Sequence, residues 1–319
     1  METIYFLVQQ TMLFSIPLLL VALGGMFSER SGVVNIALEG IMIIGAFTGI
    51  FFISRFGNLF SPTITLFIAI IISALSGLIF SLLHAYASIN MSADQVISGT
   101  ALNIFAPAFA IYVTRAIQVV QQISFVNNFR IESVPVLGNI PIIGNLLFKN
   151  AYITTYLGFI ILALSWFALY KTRFGLRLRS CGEHPQAADS VGINVYVYKM
   201  RYFGVAISGA LAGIGGLVFV IPTSTNFNAT VAGYGFLALA VLIFGQWKPI
   251  RILYAAFFFG LMKTLASAYS GIPILSNLPI SNSVYKMIPY ITTIIVLAFT
   301  SKNSQAPKAS GLPYDKSVR

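Results

Sequence analysis

Nine stretches of the chain are apolar with little interruption, near residues 5–27, 33–53, 62–84, 91–114, 151–170, 201–222, 234–247, 251–269 and 284–300. A helix needs about 20 mainly apolar residues to cross the hydrocarbon core of a bilayer. Most of these runs meet that length. The run 234–247 is short and follows a glycine-rich break, so it predicts a partial or tilted helix. A β-barrel is excluded, because its strands read as alternating segments of roughly 10 residues. The pattern predicts an all-α polytopic membrane protein with about nine transmembrane helices, within a range of about eight to ten.

Composition leads to the same class. Charged residues make up 8% of the 319 positions and hydrophobic residues 57%. A soluble domain carries about 25% charged residues. A chain this apolar cannot coat a soluble fold, which excludes a cytosolic enzyme, a nucleic-acid binder and a disordered protein. The net charge of +11 falls in particular loops. Lys171, Arg173, Arg177, Arg179, Lys199 and Arg201 sit in the loop 171–201, Lys248 and Arg251 in a short turn, and Lys302, Lys308, Lys316 and Arg319 in the tail. Placing these inside, by the positive-inside rule, also puts Arg30 inside, which gives 13 basic residues on the cytoplasmic side and 5 outside, with Lys263 within a span. The N-terminus is then external, the loop 115–150 an ordered external loop, and the C-terminus cytoplasmic. The N-terminus lacks a basic n-region and reads as a retained helix. Cys181 is the one cysteine, so no intrachain disulfide or cysteine metal site is expected.

A weak internal repeat is visible. Residues 22–27 resemble 213–218, 36–47 resemble 237–247, and 77–82 resemble 260–265, in the same order. One half starts outside and the other inside. The expectation is an inverted repeat within a single transmembrane domain, with halves at about 5–114 and 201–300. The external loop 115–150, a linking helix 151–170 and a cytoplasmic loop 171–200 join them, and a tail 301–319 follows. Inverted repeats mark transporters, with the substrate path at the repeat interface.

Polar residues within the apolar runs are the candidate chemistry. Asn35 and Glu39 lie four apart on one helical face. Either they line a path and bond a substrate, or they bond a neighbouring helix. Ser31 and Gly32, just before them, are suited to breaking a helix and exposing backbone groups. Gln95 and Asn103, with Ser98 and Thr100, place polar atoms along another span, again as path lining or as interhelical bonds. Lys263, alone in its span, either pairs with Glu39 or snorkels to the headgroups. Pro185 suits the first position of a short helix in the basic loop, with Gly192 as its stop and Ala187 and Ala188 on its exposed face. That helix is either a docking element or part of a plain solvated loop. No phosphate-binding G-x-x-x-x-G-K-[ST] loop occurs, so ATP is not bound here in that manner. No catalytic set is present, and Cys181 and His184 are too few for a metal. Energy must come from an ion gradient or a separate subunit.

The strings ERSGVVNIALEG, DQVISGTALN, GLRLRSCGEHPQAADSVGINVYVYKMR, AISGALAGIGG, TVAGYGFLALAVLIFGQWKP and ASGLPY resemble the permease subunits of bacterial ABC importers of the branched-chain-amino-acid/ribose type. They are most similar to the shorter permease of the nucleoside and simple-sugar branch. Two departures occur: Gln246-Trp247-Lys248 replaces a basic residue, Trp and Asn, and Asp94 replaces a common Asn. The resemblance implies a non-enzymatic transport subunit in the bacterial cytoplasmic (inner) membrane that carries nucleosides, with ribose-like sugars as the alternative cargo. An ion-coupled secondary carrier is disfavoured because few buried acids are present. The resemblance further implies a coupling helix at 183–193, using Glu183, His184, Pro185, Ala187, Ala188, Asp189 and Gly192 to contact an ABC ATPase subunit. ATP and Mg then reside on that subunit and this chain binds no cofactor. A second permease in a heteromeric pair and an external substrate-binding lipoprotein complete the implied partners. Beyond these lies membrane lipid, and nucleic acid is not among the partners.

Overall fold

A computed structural model describes residues 2–134, 138, 140–141, 144–190, 196–269, 281–300 and 305–315. The helices in order are α1 (Glu2–Ser31), α2 (Leu38–Phe56), α3 (Pro62–Ala85), α4 (Gln95–Gln118), α5 (Ile153–Lys171), α6 (Arg173–Glu183), α7 (Pro185–Ser190), α8 (Val197–Thr223), α9 (Tyr234–Phe244), α10 (Pro249–Ala268) and α11 (Asn282–Thr300). A π-helical turn, Tyr86–Asn90, continues α3. The fold is the all-α polytopic class that the apolar runs predict. Each of the nine runs carries one helix. Among the described residues, seven helices are long and apolar enough to cross a membrane. The other two runs form shorter apolar helices, α9 and the Met287–Val296 part of α11. At 11 residues, α9 is only about 16 Å long and crosses about half a bilayer.

The largest departure from the expected boundaries lies between α1 and α2. Helix α1 continues to Ser31 and α2 starts only at Leu38. Residues 32–37 between them are non-helical, with Gly32 at φ 101°. This is the break that Ser31-Gly32 predicts.

Helices α1 and α8 form the centre. Helix α8 packs along α1, α2 and α3, and α1 also packs on α10, α9 and α5. Lipid tails are as apolar as leucine, so helices associate in a membrane by close packing and polar contact rather than by hydrophobic exclusion. Small residues permit that approach. The Gly45 position meets the backbone of Gly213, and the Gly216 position meets the backbone of Met42, with no room for a Cβ at either. The helices that the expected repeat equates, α1 with α8 and α2 with α9, touch one another at this centre. Helix α4 lies at the periphery, where Ile104 and Tyr112 are 75% and 73% exposed.

The two ends of the bundle differ. At one end β1 (Ile123–Ser124) pairs antiparallel with β4 (Asn226–Phe227), and β2 (Arg130–Ser133) with β3 (Lys149–Tyr152). The segment 115–150 therefore holds short strands that the sequence pattern did not signal. Its β1 also ties the loop after α4 to the loop after α8. At the other end α6 and α7 lie together, and the C-terminal residues 305–315 pack against them. Helix α6 is an addition to the expected loop. Thr172 caps it, its hydroxyl accepting from the Gly175 N–H at 3.1 Å.

This end-to-end separation can be tested by labelling in a Cys181→Ser background. Cysteine introduced at Ile140 is expected to react with an impermeant maleimide in intact cells. Cysteine introduced at His184 should react only after permeabilisation. The reverse pattern would invert the topology.

Candidate translocation joint and coupling end

Unwinding residues 32–37 frees backbone groups that a helix would satisfy itself, and when buried each needs another partner. The last turn of α1 accepts the first two amides, the Gly32 N–H to the Glu29 carbonyl at 3.0 Å and the Val33 N–H to the Ser28 carbonyl at 3.2 Å, and neighbouring side chains reach others. The Ser28 hydroxyl donates to the Val33 carbonyl at 2.7 Å. The Val34 N–H donates to Gln95 Oε1 at 2.7 Å, and His84 Nε2 meets the Val34 carbonyl at 2.9 Å. The other ring nitrogen of His84 meets the Ser98 hydroxyl at 3.0 Å. Asn103 bridges the joint and the first turn of α2. Its Nδ2 donates to the Ile36 carbonyl at 2.9 Å, and its Oδ1 accepts from the Gly40 N–H at 2.7 Å. Asn35 is fully buried. Its Nδ2 donates to Ser208 of α8 at 2.9 Å, and its Oδ1 accepts from the Ala37 N–H at 3.2 Å.

Glu39 serves a second helix start. Its Oε1 accepts from the Gly233 N–H at 2.9 Å and its Oε2 from the Gly235 N–H at 2.6 Å. These amides open α9, where N–H groups lack intrahelical acceptors and the helix dipole favours an anion. The backbone of Gly235 lies directly against that of Glu39, leaving no room for a Cβ. The start of α2 and the start of α9 are thus joined through one carboxylate. The expected alternative of a Glu39–Lys263 pair is not formed. Both carboxylate oxygens are taken by backbone amides, and Lys263 Nζ instead lies over the Tyr234 ring, 5.9 Å from its centroid.

The structure therefore brings Asn35, Glu39, Gln95 and Asn103 to one place, around the α1–α2 joint. Polar atoms beside the joint remain unused: Gln95 Nε2, and Nε and Nη2 of Arg201 next to Gly32, are buried without hydrogen-bond partners, as is the hydroxyl of Tyr234 at the start of α9. Asp94 caps α4, its Oδ1 accepting from Val96 N–H at 2.7 Å and Ile97 N–H at 3.0 Å. Among the described residues no group of three His, Cys, Asp or Glu side chains gathers as for a metal ion.

The end of the bundle that holds the expected coupling residues is built on α6 and α7. Pro185 is the first residue of α7, as its missing N–H suits. Glu183, His184 and Ala187 are exposed, and Asp189 is half-buried. Ala188 corrects the expectation of an exposed small-residue face. It is buried with Cys181, Val197 and Tyr314, because it lies three residues after Pro185 and shares its inward side. Gly192 lies outside the described residues. Burial pushes the Cys181 thiol up to about 11.

Four further contacts gather at the end of α1 and the start of the joint. Trp247 Nε1 donates to Glu29 Oε2 at 2.6 Å, and Arg30 Nη2 donates to the Trp247 carbonyl at 3.1 Å. Arg30 also approaches Glu183 at 3.5 Å. Arg201, 1% exposed, lies against Gly32 so closely that a Cβ there would sit 2.9 Å from Nη2. Sequence reasoning missed the roles of His84, Glu29, Trp247 and Arg201. A lone histidine within an apolar run was the available signal for His84.

A bundle of long apolar helices, broken at a polar-clamped joint and carrying a short exposed helix at its basic end, defines a membrane transport permease. The chain belongs to the family described as the branched-chain amino acid transport system permease component, whose model matches residues 7–297. It is 43% identical to the nucleoside ABC transporter permease protein NupC of Lactococcus lactis, over 99% of this chain and 98% of that protein. It is 44% identical to the guanosine ABC transporter permease protein NupQ of Bacillus subtilis, over 98% and 97%. It is also 25% identical to the nucleoside ABC transporter permease protein NupB of the same Lactococcus strain, over 92% and 81%. No solved structure matches it.

The clamp makes a stability prediction. Asn103→Ala leaves the Ile36 carbonyl and Gly40 N–H unpaired, at about 1–3 kcal/mol per group. Glu39→Gln turns an NH₂ toward a backbone N–H and removes a charged acceptor, with a loss of about 1.5–3 kcal/mol. Both variants are expected to unfold at lower temperature in detergent, measured by fluorescence-detected size exclusion after heating. Unchanged midpoints in both would remove these residues from the clamp.

Proposed function

We propose that this chain forms the translocation path of an ATP-driven importer of nucleosides in the bacterial cytoplasmic membrane, with its C-terminus in the cytoplasm. The observation that carries this reading is the likeness to NupC and NupQ over essentially the whole chain, at 43% and 44% identity. The path passes the α1–α2 joint, where Asn35, Glu39, Gln95 and Asn103 form its polar side. A nucleoside presents ribose hydroxyls and base-edge donors and acceptors that must exchange some of their water. Gln95 Nε2 and the Tyr234 hydroxyl are unused groups suited to that exchange. Tyr234 packs against Phe219, their buried rings tilted by 37° with centroids 4.1 Å apart, and the path must open for this aromatic pair to meet a base. Binding along the path is weak, since an importer must release its cargo and capture belongs to an external binding lipoprotein.

ATP and Mg reside on a partner ATPase. That subunit docks on α7 and its flanks, through Glu183, His184, Pro185, Ala187, Ala188, Asp189 and Gly192. The exposed faces of Glu183, His184 and Ala187 meet the ATPase, while Pro185 and Ala188 seat the helix on this chain. A second permease completes the membrane part. One Lactococcus strain carries both NupB and NupC, and the weaker likeness of this chain to NupB supports a heteromeric pair.

Uptake of a radiolabelled panel by the assembled complex tests the cargo. Nucleosides are expected to accumulate with ATP, and unlabelled guanosine to compete while ribose and glucose do not. Accumulation of ribose or glucose without nucleosides would assign the sugar branch instead. Ala187→Trp tests the docking. It is expected to release the ATPase and abolish uptake while the permease still inserts. An ATPase that stays bound with normal uptake refutes the docking assignment.

A further inference from the structure

The C-terminal residues 305–315 lie beyond the stretch 7–297 that the family model covers. Segments near a domain's terminus are poorly ordered unless they are tied down. This one is bound at several points. It turns on itself, with the Ser310 N–H donating to the Pro307 carbonyl at 3.0 Å and the Leu312 N–H to the Ala309 carbonyl at 3.2 Å. Gly311 takes φ 82° within that turn, a backbone that side chains with a Cβ rarely adopt.

From this turn, bonds run to three elements. The Ala309 N–H donates to the Gly182 carbonyl in the last turn of α6 at 2.8 Å. The Gly311 N–H donates to the Gly32 carbonyl, the first residue of the α1–α2 joint, at 3.2 Å. From α8, Arg201 Nη1 donates to the Leu312 carbonyl at 2.9 Å, and the Tyr198 hydroxyl to the Tyr314 carbonyl at 3.2 Å. The Tyr314 ring is buried against Cys181, Ala188 and Val197, edge-on to Tyr198 and beneath the Arg201 guanidinium. Ala188 belongs to α7. One short segment therefore touches the inward face of α7, the end of α6, the start of α8 and the joint.

We propose that residues 307–314 form a coupling strap, which transmits displacement of α7 to the α1–α2 joint and so links ATP hydrolysis to opening of the path. The inference rests on the reading of α7 as the ATPase docking helix. The geometry supplies the lever. A shift of α7 presses Ala188 on Tyr314. The strap moves as one turn because its own backbone bonds hold it, and Gly311 pulls on the Gly32 carbonyl. Gly32 suits the receiving end, since it is free of a side chain beside Arg201 and already non-helical. Arg201 holds both sides, contacting Gly32 and donating to Leu312. It is a positioning residue for this link.

The test uses the full complex, with its ATPase and binding protein, in liposomes. A chain ending at residue 306 and a Gly311→Val variant are compared with the unaltered chain. The ATPase should remain assembled and ATP hydrolysis should continue. Uptake per assembled complex should fall on the order of tenfold, within the usual span of an allosteric coupling. The thiol of Cys181, covered by Tyr314, should react faster with a maleimide in the shortened chain. Where the shortened chain fails to insert, Gly311→Val and Tyr314→Ala decide by the same ratio of uptake to ATP hydrolysed. A wild-type ratio in inserted, assembled variants overturns the strap. Failure of the docking reading is distinct: there Ala187→Trp keeps its ATPase, whatever the strap variants do.

Discussion

A buried peptide group released from a helix must find another hydrogen-bond partner, and the α1–α2 joint is where this chain meets that constraint most sharply. Residues 32–37 abandon the helix, and beyond the Gly32 and Val33 amides, which the last turn of α1 accepts, their polar groups are reached from elsewhere. An unmet group costs about 1–3 kcal/mol, against a total stability of about 5–15 kcal/mol for a domain. A few such losses would exceed it. The arrangement of the surrounding helices follows. His84 from α3 and Gln95 from α4 converge on Val34, Asn103 from α4 spans Ile36 and Gly40, and Ser208 from α8 receives Asn35. Each helix is held where its polar side chain can reach the joint.

Short side chains reach only if the helices approach closely, which gives the glycines of α2 and α8 their purpose. A Cβ on Gly40 would sit 2.7 Å from the Leu102 carbonyl oxygen, so its absence lets α4 come near enough for Asn103 to bond the backbone of α2. The Gly204 position meets Ser31 at the end of α1, which lets α8 lie along the joint and present Arg201 to Gly32. Close packing and polar satisfaction are thus one requirement: a larger residue at either glycine would part the helices and open the bonds beside it.

The apolar runs made the helices legible because a span through hydrocarbon leaves a long, unbroken signature. The break at Ser31-Gly32 and the shortness of α9 were legible for the same reason, as interruptions of it. The polar residues Asn35, Glu39, Gln95 and Asn103 stood out against the apolar background. Their partners did not, because those partners are mainly backbone groups that every residue possesses. Glu39 shows the limit: spacing offered Lys263 as a mate, yet two glycine amides 194 and 196 positions away hold the carboxylate. The strands of 115–150 are two to four residues long, too short for a period-two pattern to emerge. Ala188 was misplaced because six residues of α7 are too few for an apolar stripe to show which side faces inward.

The kinds of bond at the joint suit a part that changes shape. Asn35, Gln95 and Asn103 contribute neutral amide bonds, each worth about 0.5–1.5 kcal/mol net. Glu39 makes charge-assisted bonds to two amides, and such bonds are about twice as strong. On the proposed reading, a conformational coupling of about 1–3 kcal/mol is enough to exchange one or two neutral bonds for others, including bonds to a passing cargo. It is not enough to pull a carboxylate from two backbone donors with no water to replace them. On that reading the joint is the element that yields, while the two Glu39 bonds hold the start of α9 to the start of α2. An ion pair at residues 32–37 would have locked the hinge, and an apolar lining would have left its backbone unbonded. Amides supply enough energy to hold the unwound chain and little enough to let it move.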